Sequence, residues 1–205
     1  MFRFRPAAYV ALLLYPAIFR ALPFILGRFG LDISVVDGAF LWGLTPVFAL
    51  GMFSTAHAKR TWEGFLLPLA GWLLGDLIIR WATNEWGFFY PGWYYNYLGF
   101  VALCASGLLL RKKYSMPQVL GVASLGSVVF FLVSNFGSWI CWDTYPHTAA
   151  GLVACYAAGL PFIKYQFVST LIVSALCFSP VGRAHLVYEN AVGTGVDNEW
   201  APAKA

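Results

Sequence analysis

The fold class that this sequence predicts is an all-α membrane protein, a bundle of six transmembrane helices plus one short non-spanning helix. Three observations predict it. Of the 205 residues, 60% are hydrophobic and only 11% are charged, whereas a water-soluble domain carries about 25% charged residues. The apolar residues fall in runs near the roughly 20 residues that a helix needs to cross the hydrocarbon core. Tryptophan and tyrosine, which favour the membrane–water interface, gather between those runs. The runs account for residues 1–180 as a single integral membrane domain, and 181–205 are left as a polar tail expected to be flexible.

The first run, Ala7 to Leu26, is longer than the roughly 7–15 residues of a signal-peptide core and is not followed by a small-x-small cleavage pattern. It reads as a retained span. Pro16 predicts a kink, and Arg20 near the far end is expected to snorkel to the interface. The spacings Ala7/Ala11 and Ala17/Ala21 put small residues on one stripe, suited to close helix contact. The second span runs from about Ala39 to Ala56 and ends in a basic turn, His57, Lys59 and Arg60. The third, from about Gly64 to Trp81, contains Gly71-x-x-x-Gly75, which lets two backbones approach. An aromatic segment, Trp86 to Tyr95, belongs at one face of the bilayer.

The fourth span, about Tyr97 to Leu110, ends at Arg111-Lys112-Lys113, and the fifth runs from about Pro117 to Trp142. Thr148 to Ala158 is apolar, but as a helix it reaches only about 16 Å, too short to cross. Gly159-Leu160-Pro161 is expected to separate it from the last span, which ends near Phe178.

With six spans, one side receives Arg3, Arg5, Lys59, Arg60, Arg111, Lys112, Lys113, Arg183 and Lys204, and the other Arg20, Arg28, Arg80 and Lys164, nine against four. The positive-inside rule makes the richer side cytoplasmic. The expectation is a multi-pass protein of the bacterial inner membrane with both termini in the cytoplasm.

Several function classes are disfavoured. The basic residues are too few and too dispersed for a nucleic-acid footprint. No nucleotide loop, zinc-protease helix or nucleophile elbow is present, so neither an enzyme nor a cofactor is expected. Cys104, Cys141, Cys155 and Cys177 lack metal-ligand spacing, and Asp143 with His147 supplies only two candidate ligands, so no metal is expected either. Inside the third span, Asp76 and Arg80 share a face and read as an i,i+4 ion pair.

The richest polar stretch closes the fifth span. Asn135, Ser138 and Trp139 share a helix face, and a membrane span tolerates asparagine where it finds a partner or a wet cavity. Asp143, Tyr145 and His147 follow in a loop on the outer side, where Trp93 and its aromatic neighbours also belong. Together they suggest an aromatic-walled, polar-floored cavity, the usual build of a small-molecule site. An interfacial aromatic belt, with Asn135 bonded to a neighbouring helix, is the alternative.

Ser134-Asn135-Phe136-Gly137-x-Trp139, then Tyr145-Pro146-His147-Thr148-x-Ala150-Gly151-Leu152, then Cys155-Tyr156-x-Ala158-Gly159-Leu160-Pro161-Phe162 resembles the C-terminal signature of an uncharacterised family of small bacterial membrane proteins. That family is similar in size and topology to the S components of energy-coupling-factor vitamin transporters. The resemblance implies an S-component-like bundle in the lipid bilayer that binds a vitamin-sized molecule, such as a cobalamin-like compound, for uptake. It also implies docking on a transmembrane coupling subunit and its ATPases through spaced alanines of the first helix. On this reading Asn135, Trp139, Asp143, Tyr145, His147, Asp76 and Trp93 contact the ligand, and 86–95 forms a lid. The rival from another class is a structural or assembly subunit of a larger membrane complex, with the same motif as its packing core.

Overall fold

The structure is a computed structural model that describes residues 2–4, 6–31, 46–84, 89–184 and 186–188. The described elements are α1 (Pro6–Arg28), α2 (Val47–His57), α3 (Thr61–Thr83), α4 (Trp93–Ser106), α5 (Met116–Cys141), α6 (Ala149–Cys177) and a single turn, α7 (Pro180–Arg183). A 3-10 turn, Gly107–Leu110, prolongs α4. Two short strands, β1 (Phe2–Phe4) and β2 (Leu186–Tyr188), pair antiparallel with Phe2 opposite Tyr188. That ribbon brings the two ends of the described chain together at one end of the bundle, and it includes three residues of the segment expected to be a loose tail.

Five helices, α1, α3, α4 with its 3-10 turn, α5 and α6, are long and apolar enough to cross a membrane. The chain is a multi-pass helical membrane protein. α2 occupies the centre: every residue in it except Leu50 is buried, and α3, α4 and α6 pack around it. α1 lies along α3, α4 along α5, and α5 along α6. The core divides into two clusters. Phe48, Trp72, Phe100 and Leu103 fill one, and Met52, Phe53, Val119 and Phe178 belong to the other.

The second half of α6 shows what the surroundings select. Its buried residues are polar, Gln166, Ser169, Thr170 and Ser174, while Val168, Ile172 and Leu176 face outward. Water would penalise that arrangement. Hydrocarbon favours it, because apolar side chains then meet lipid and the polar ones are withdrawn from it into the bundle.

Two expectations are corrected. Thr148–Ala158 is not a separate half-length helix, because α6 runs unbroken from Ala149 to Cys177 with Pro161 inside it. Proline there removes one amide donor, but unwinding in lipid would strand many more backbone groups without water to bond. Among the described residues five helices are candidate spans, and the short central α2, whose eleven residues reach about 16 Å, covers the later part of the expected second span. The earlier part of the expected second span, 39–45, lies outside the described residues. The continuity of α6 also moves Lys164 from an outer loop to the middle of a helix. Ala17 and Ala21 are fully buried, and Ala17 lies against Gly75 of α3. That is the close helix contact their spacing predicts.

Candidate functional site

Two groups of polar residues lie toward the end of the bundle opposite the paired strands. The first begins with small residues. A side chain at Gly71 would meet the Leu13 carbonyl, and one at Gly75 would meet Ala17 and the Arg20 stem. The bare backbone at both positions lets α1 and α3 approach closely. That approach sets Arg20 opposite Asp76. Arg20 Nε and Nη2 both donate to Asp76 Oδ1, at 2.9 and 2.6 Å, and the Tyr97 hydroxyl donates to Oδ2 at 2.8 Å.

Asp76 therefore pairs with Arg20 across the helix interface and not with Arg80, which is exposed one turn further along α3. The intrahelical pair expected from spacing loses to a geometry that bonds both carboxylate oxygens. Arg20 correspondingly turns inward and does not snorkel.

Aromatic rings enclose this ion pair. The Arg20 guanidinium lies 4.1 Å from the centroid of the Trp72 ring, within cation–π range. Trp72 packs on Phe100 at 4.5 Å, and Trp93 meets Tyr97 edge-on at 5.3 Å. Asn96 Nδ2 donates to the Tyr90 hydroxyl oxygen at 2.5 Å. Burial raises the Tyr90 pKa, against the lowering effect of the Arg20 charge.

The side chain of Asp76 is 1% exposed and that of Arg20 25%. Buried charges cost several kcal/mol each unless paired and bonded; here every charged oxygen has a donor. Arg20 Nη1 makes no hydrogen bond among the described residues, so the partly exposed guanidinium retains donors for an anionic group.

The second group is the corner between α5 and α6, which contains the signature. Trp139 Nε1 donates to the Pro146 carbonyl at 3.0 Å, and its ring meets His147 edge-on at 5.5 Å. Thr148 caps α6 by accepting from the Gly151 amide at 3.2 Å. Asn135 Nδ2 donates to the Phe131 carbonyl of its own helix at 2.9 Å. The Asn135 backbone carbonyl accepts from Cys155 Sγ at 3.5 Å, and the Tyr156 hydroxyl donates to the Leu132 carbonyl at 2.9 Å.

The signature glycines mark close approaches. A side chain at Gly137 would run into Tyr95, one at Gly151 into Pro146, and one at Gly159 into the Asn135 amide. Asp143 and His147 are exposed, and Tyr145 is half-buried.

The seven residues expected to contact a ligand therefore divide. Asp76 and Trp93 are joined through Tyr97, whereas Asn135, Trp139, Asp143, Tyr145 and His147 belong to the α5–α6 corner. A shallow, almost wholly apolar groove of about 340 Å³ runs beside that corner, lined by Tyr95, Leu98, Leu132, Val133, Phe136 and Tyr156. None of the seven lines it. Part of the expected lid, 86–88, lies outside the described residues, and Trp93–Tyr95 form the first turn of α4. Among the described residues no three His, Cys, Asp or Glu side chains gather to hold a metal ion.

Arg20, Tyr97 and Trp72 were missed. The available signal was that Arg20 and Asp76 both fall inside apolar runs, each flanked by small residues that permit contact.

An apolar helical bundle with a buried ion pair defines a class, the multi-pass membrane protein. Residues 2–191 match the family of unknown function DUF6580, and the chain belongs to that family. No curated protein matches it, and no solved structure does.

Proposed function

We propose that this chain is a substrate-binding membrane subunit that takes up a vitamin-sized molecule carrying a carboxylate or phosphate. The observation that carries the reading is the Arg20–Asp76–Tyr97 cluster. A pair of charges among membrane helices is costly, and ionisable residues there commonly mark substrate sites. Packing alone would be served as well by apolar residues of similar volume. Asp76 and Tyr97 hold the guanidinium in place, Trp72 and Trp93 supply apolar walls, and Arg20 Nη1 is left to engage the anion. This places the ligand on α1, α3 and α4 and assigns the α5–α6 corner to packing.

The orientation follows the charges. Lys59, Arg60, Arg111, Lys112, Lys113 and Arg183 sit at the end that carries the paired strands. The positive-inside rule makes that end cytoplasmic, so the cluster opens toward the outer face of the inner membrane. Coupling to a transmembrane subunit and ATPases belongs to the same proposal.

The test is native mass spectrometry of the full chain released from detergent, combined with thermal-shift screening against small organic anions. Wild type is expected to carry or bind such a molecule. Arg20→Lys should lower affinity about tenfold or more, because it removes the planar fork that engages carboxylate or phosphate. If wild type carries nothing and no anion raises its melting temperature, the ligand reading is wrong. An unchanged affinity in a folded Arg20→Lys chain would place the ligand elsewhere.

A further inference from the structure

Lys164 stands where a lysine is difficult to accommodate. The bonds from Tyr156 to the Leu132 carbonyl and from Cys155 to the Asn135 carbonyl fix the register of antiparallel α5 and α6. That register sets Lys164 level with Ser124 to Gly126, in the middle part of α5 (Met116–Cys141). The residue is exposed on the outer surface of α6, and its ammonium lies 4.6 Å from the ring of the adjacent Tyr165.

From the middle of a hydrocarbon core about 30 Å thick, a four-carbon stem reaching roughly 6 Å brings the charge to neither headgroup layer. Intramembrane lysines almost always face a bundle interior or a partner. This one faces away from its own bundle.

The surface around it has the form of a helix contact. Val153, Ala157, Leu160, Lys164 and Val168 recur three and four residues apart, and all are exposed. Such spacing forms a continuous seam for a second helix. Charge complementarity selects the occupant. A second copy of this chain would bring another Lys164 and, among the described residues, no carboxylate at that depth. Among the described residues, Glu63 lies in the first turn of α3, Asp76 is buried against Arg20, and Asp143 follows the far end of α5.

We propose that this face of α6 docks a transmembrane helix of a different protein, which presents an aspartate or glutamate level with Lys164. The pairing would remove an unpaired charge from lipid and give the contact its register. It does not depend on the ligand reading, because Lys164 lies on α6 and takes no part in the Arg20–Asp76–Tyr97 cluster of α1, α3 and α4.

The test uses the full chain in its native membranes, with a photocrosslinking residue at Leu160 or Val168 and, as control, at Leu125, which is 53% exposed on α5. The α6 positions should crosslink to one other protein, through a membrane-spanning peptide that contains a carboxylate, and Leu125 should not. Lys164→Met should lower that yield at least tenfold, and Lys164→Arg should retain it. Lys164→Asp should recover the yield when the partner carboxylate is changed to lysine. Because the side chain is exposed, Lys164→Met should fold normally; if it does not, the Lys164→Asp exchange decides. Crosslinks to a second copy or to lipid alone would overturn the proposal, as would a yield indifferent to Lys164→Met in a folded chain.

Discussion

The Arg20–Asp76–Tyr97 cluster and the α5–α6 corner are both polar constructions at the same end of the bundle, and they use polarity differently. In the corner, Asn135, Trp139, Cys155 and Tyr156 donate to backbone carbonyls, so the bonds are neutral and local and serve to hold two helices and their loop. In the cluster, two formal charges from separate helices meet, with a tyrosine from a third helix completing the carboxylate. A motif dense in polar and aromatic residues is thus not necessarily the place where charge is concentrated. The difference lies in what each loses when one member is removed.

The largest loss is expected at Asp76. Asp76→Leu leaves Arg20 without its counter-charge, and breaking a buried pair costs about 3–5 kcal/mol. Unfolding in mixed micelles should show a loss of that size. Arg20→Met combined with Asp76→Leu should recover most of it, since replacing both partners by apolar groups is often neutral. A double variant no better than Asp76→Leu alone would mean that the cluster is not a charge pair in energetic terms. The contrast with the corner would then collapse.

A third polar contact, at the opposite end of the bundle, tests whether neutral construction is the rule outside the cluster. His57 Nδ1 lies 3.1 Å from the Phe53 carbonyl oxygen and Nε2 3.0 Å from the Tyr114 hydroxyl. Burial lowers its pKa to about 4, with the Arg183 charge acting in the same direction. The imidazole is therefore neutral in the folded state over a range where the unfolded chain takes up a proton. Stability should be full above about pH 6.5, fall as pH drops from about 6.5 toward 4, and level off below that. The total change is on the order of 3 kcal/mol. A denaturation series in detergent at stepped pH measures it, and His57→Phe should flatten the slope across that window.

In the corner, the prediction concerns space. Gly159 lies against the Asn135 amide and the Phe131 ring, so Gly159→Ala forces α5 and α6 apart or turns Asn135 off its carbonyl. Overpacking of this kind costs about 1–3 kcal/mol. Gly121, with nothing near its missing side chain, is the control, and Gly121→Ala should be neutral or slightly stabilising because helix propensity improves.

Much of the fold was legible because lipid imposes a simple rule on composition. Runs near 20 apolar residues located α1, α3, α5 and the body of α4. The Gly71/Gly75 spacing marked a real helix crossing. What failed was punctuation. Gly159-Leu160-Pro161 reads as a break by the habits of soluble helices, yet α6 passes through it, because the cost of unwinding in lipid exceeds that of one missing donor. The buried Arg20–Asp76–Tyr97 cluster was legible in part for a related reason. Asp76 and Trp93 were picked out by residue type, but their partners Arg20, Trp72 and Tyr97 come from positions up to 56 apart from Asp76 in sequence. Local spacing favoured Arg80, and only the α1–α3 contact reveals the true pair. The aromatic and amide density at 134–147 fits a belt, a cap or a pocket alike, because all three share a composition.

The smallest effect is also the most discriminating. Tyr156 donates to the Leu132 carbonyl from α6 to α5, next to the apolar groove that Tyr156 helps to line. Tyr156→Phe removes the hydroxyl and keeps the ring. Interhelical hydrogen bonds in membranes average only about 0.6 kcal/mol, because the unfolded chain in lipid also finds partners. The loss should be of that order, with ligand affinity at the Arg20 cluster unchanged. Tyr97→Phe removes a hydroxyl of the same kind from the cluster, but there the acceptor is a buried carboxylate, and bonds to charged groups contribute about 1.5–3 kcal/mol. Measured side by side, the two tyrosines make identical chemical deletions against a neutral and a charged acceptor. Equal losses would show that the cluster behaves as another packing corner. A Tyr97 loss two- to fivefold larger, accompanied by weakened anion binding, would separate the two regions in stability and in function at once.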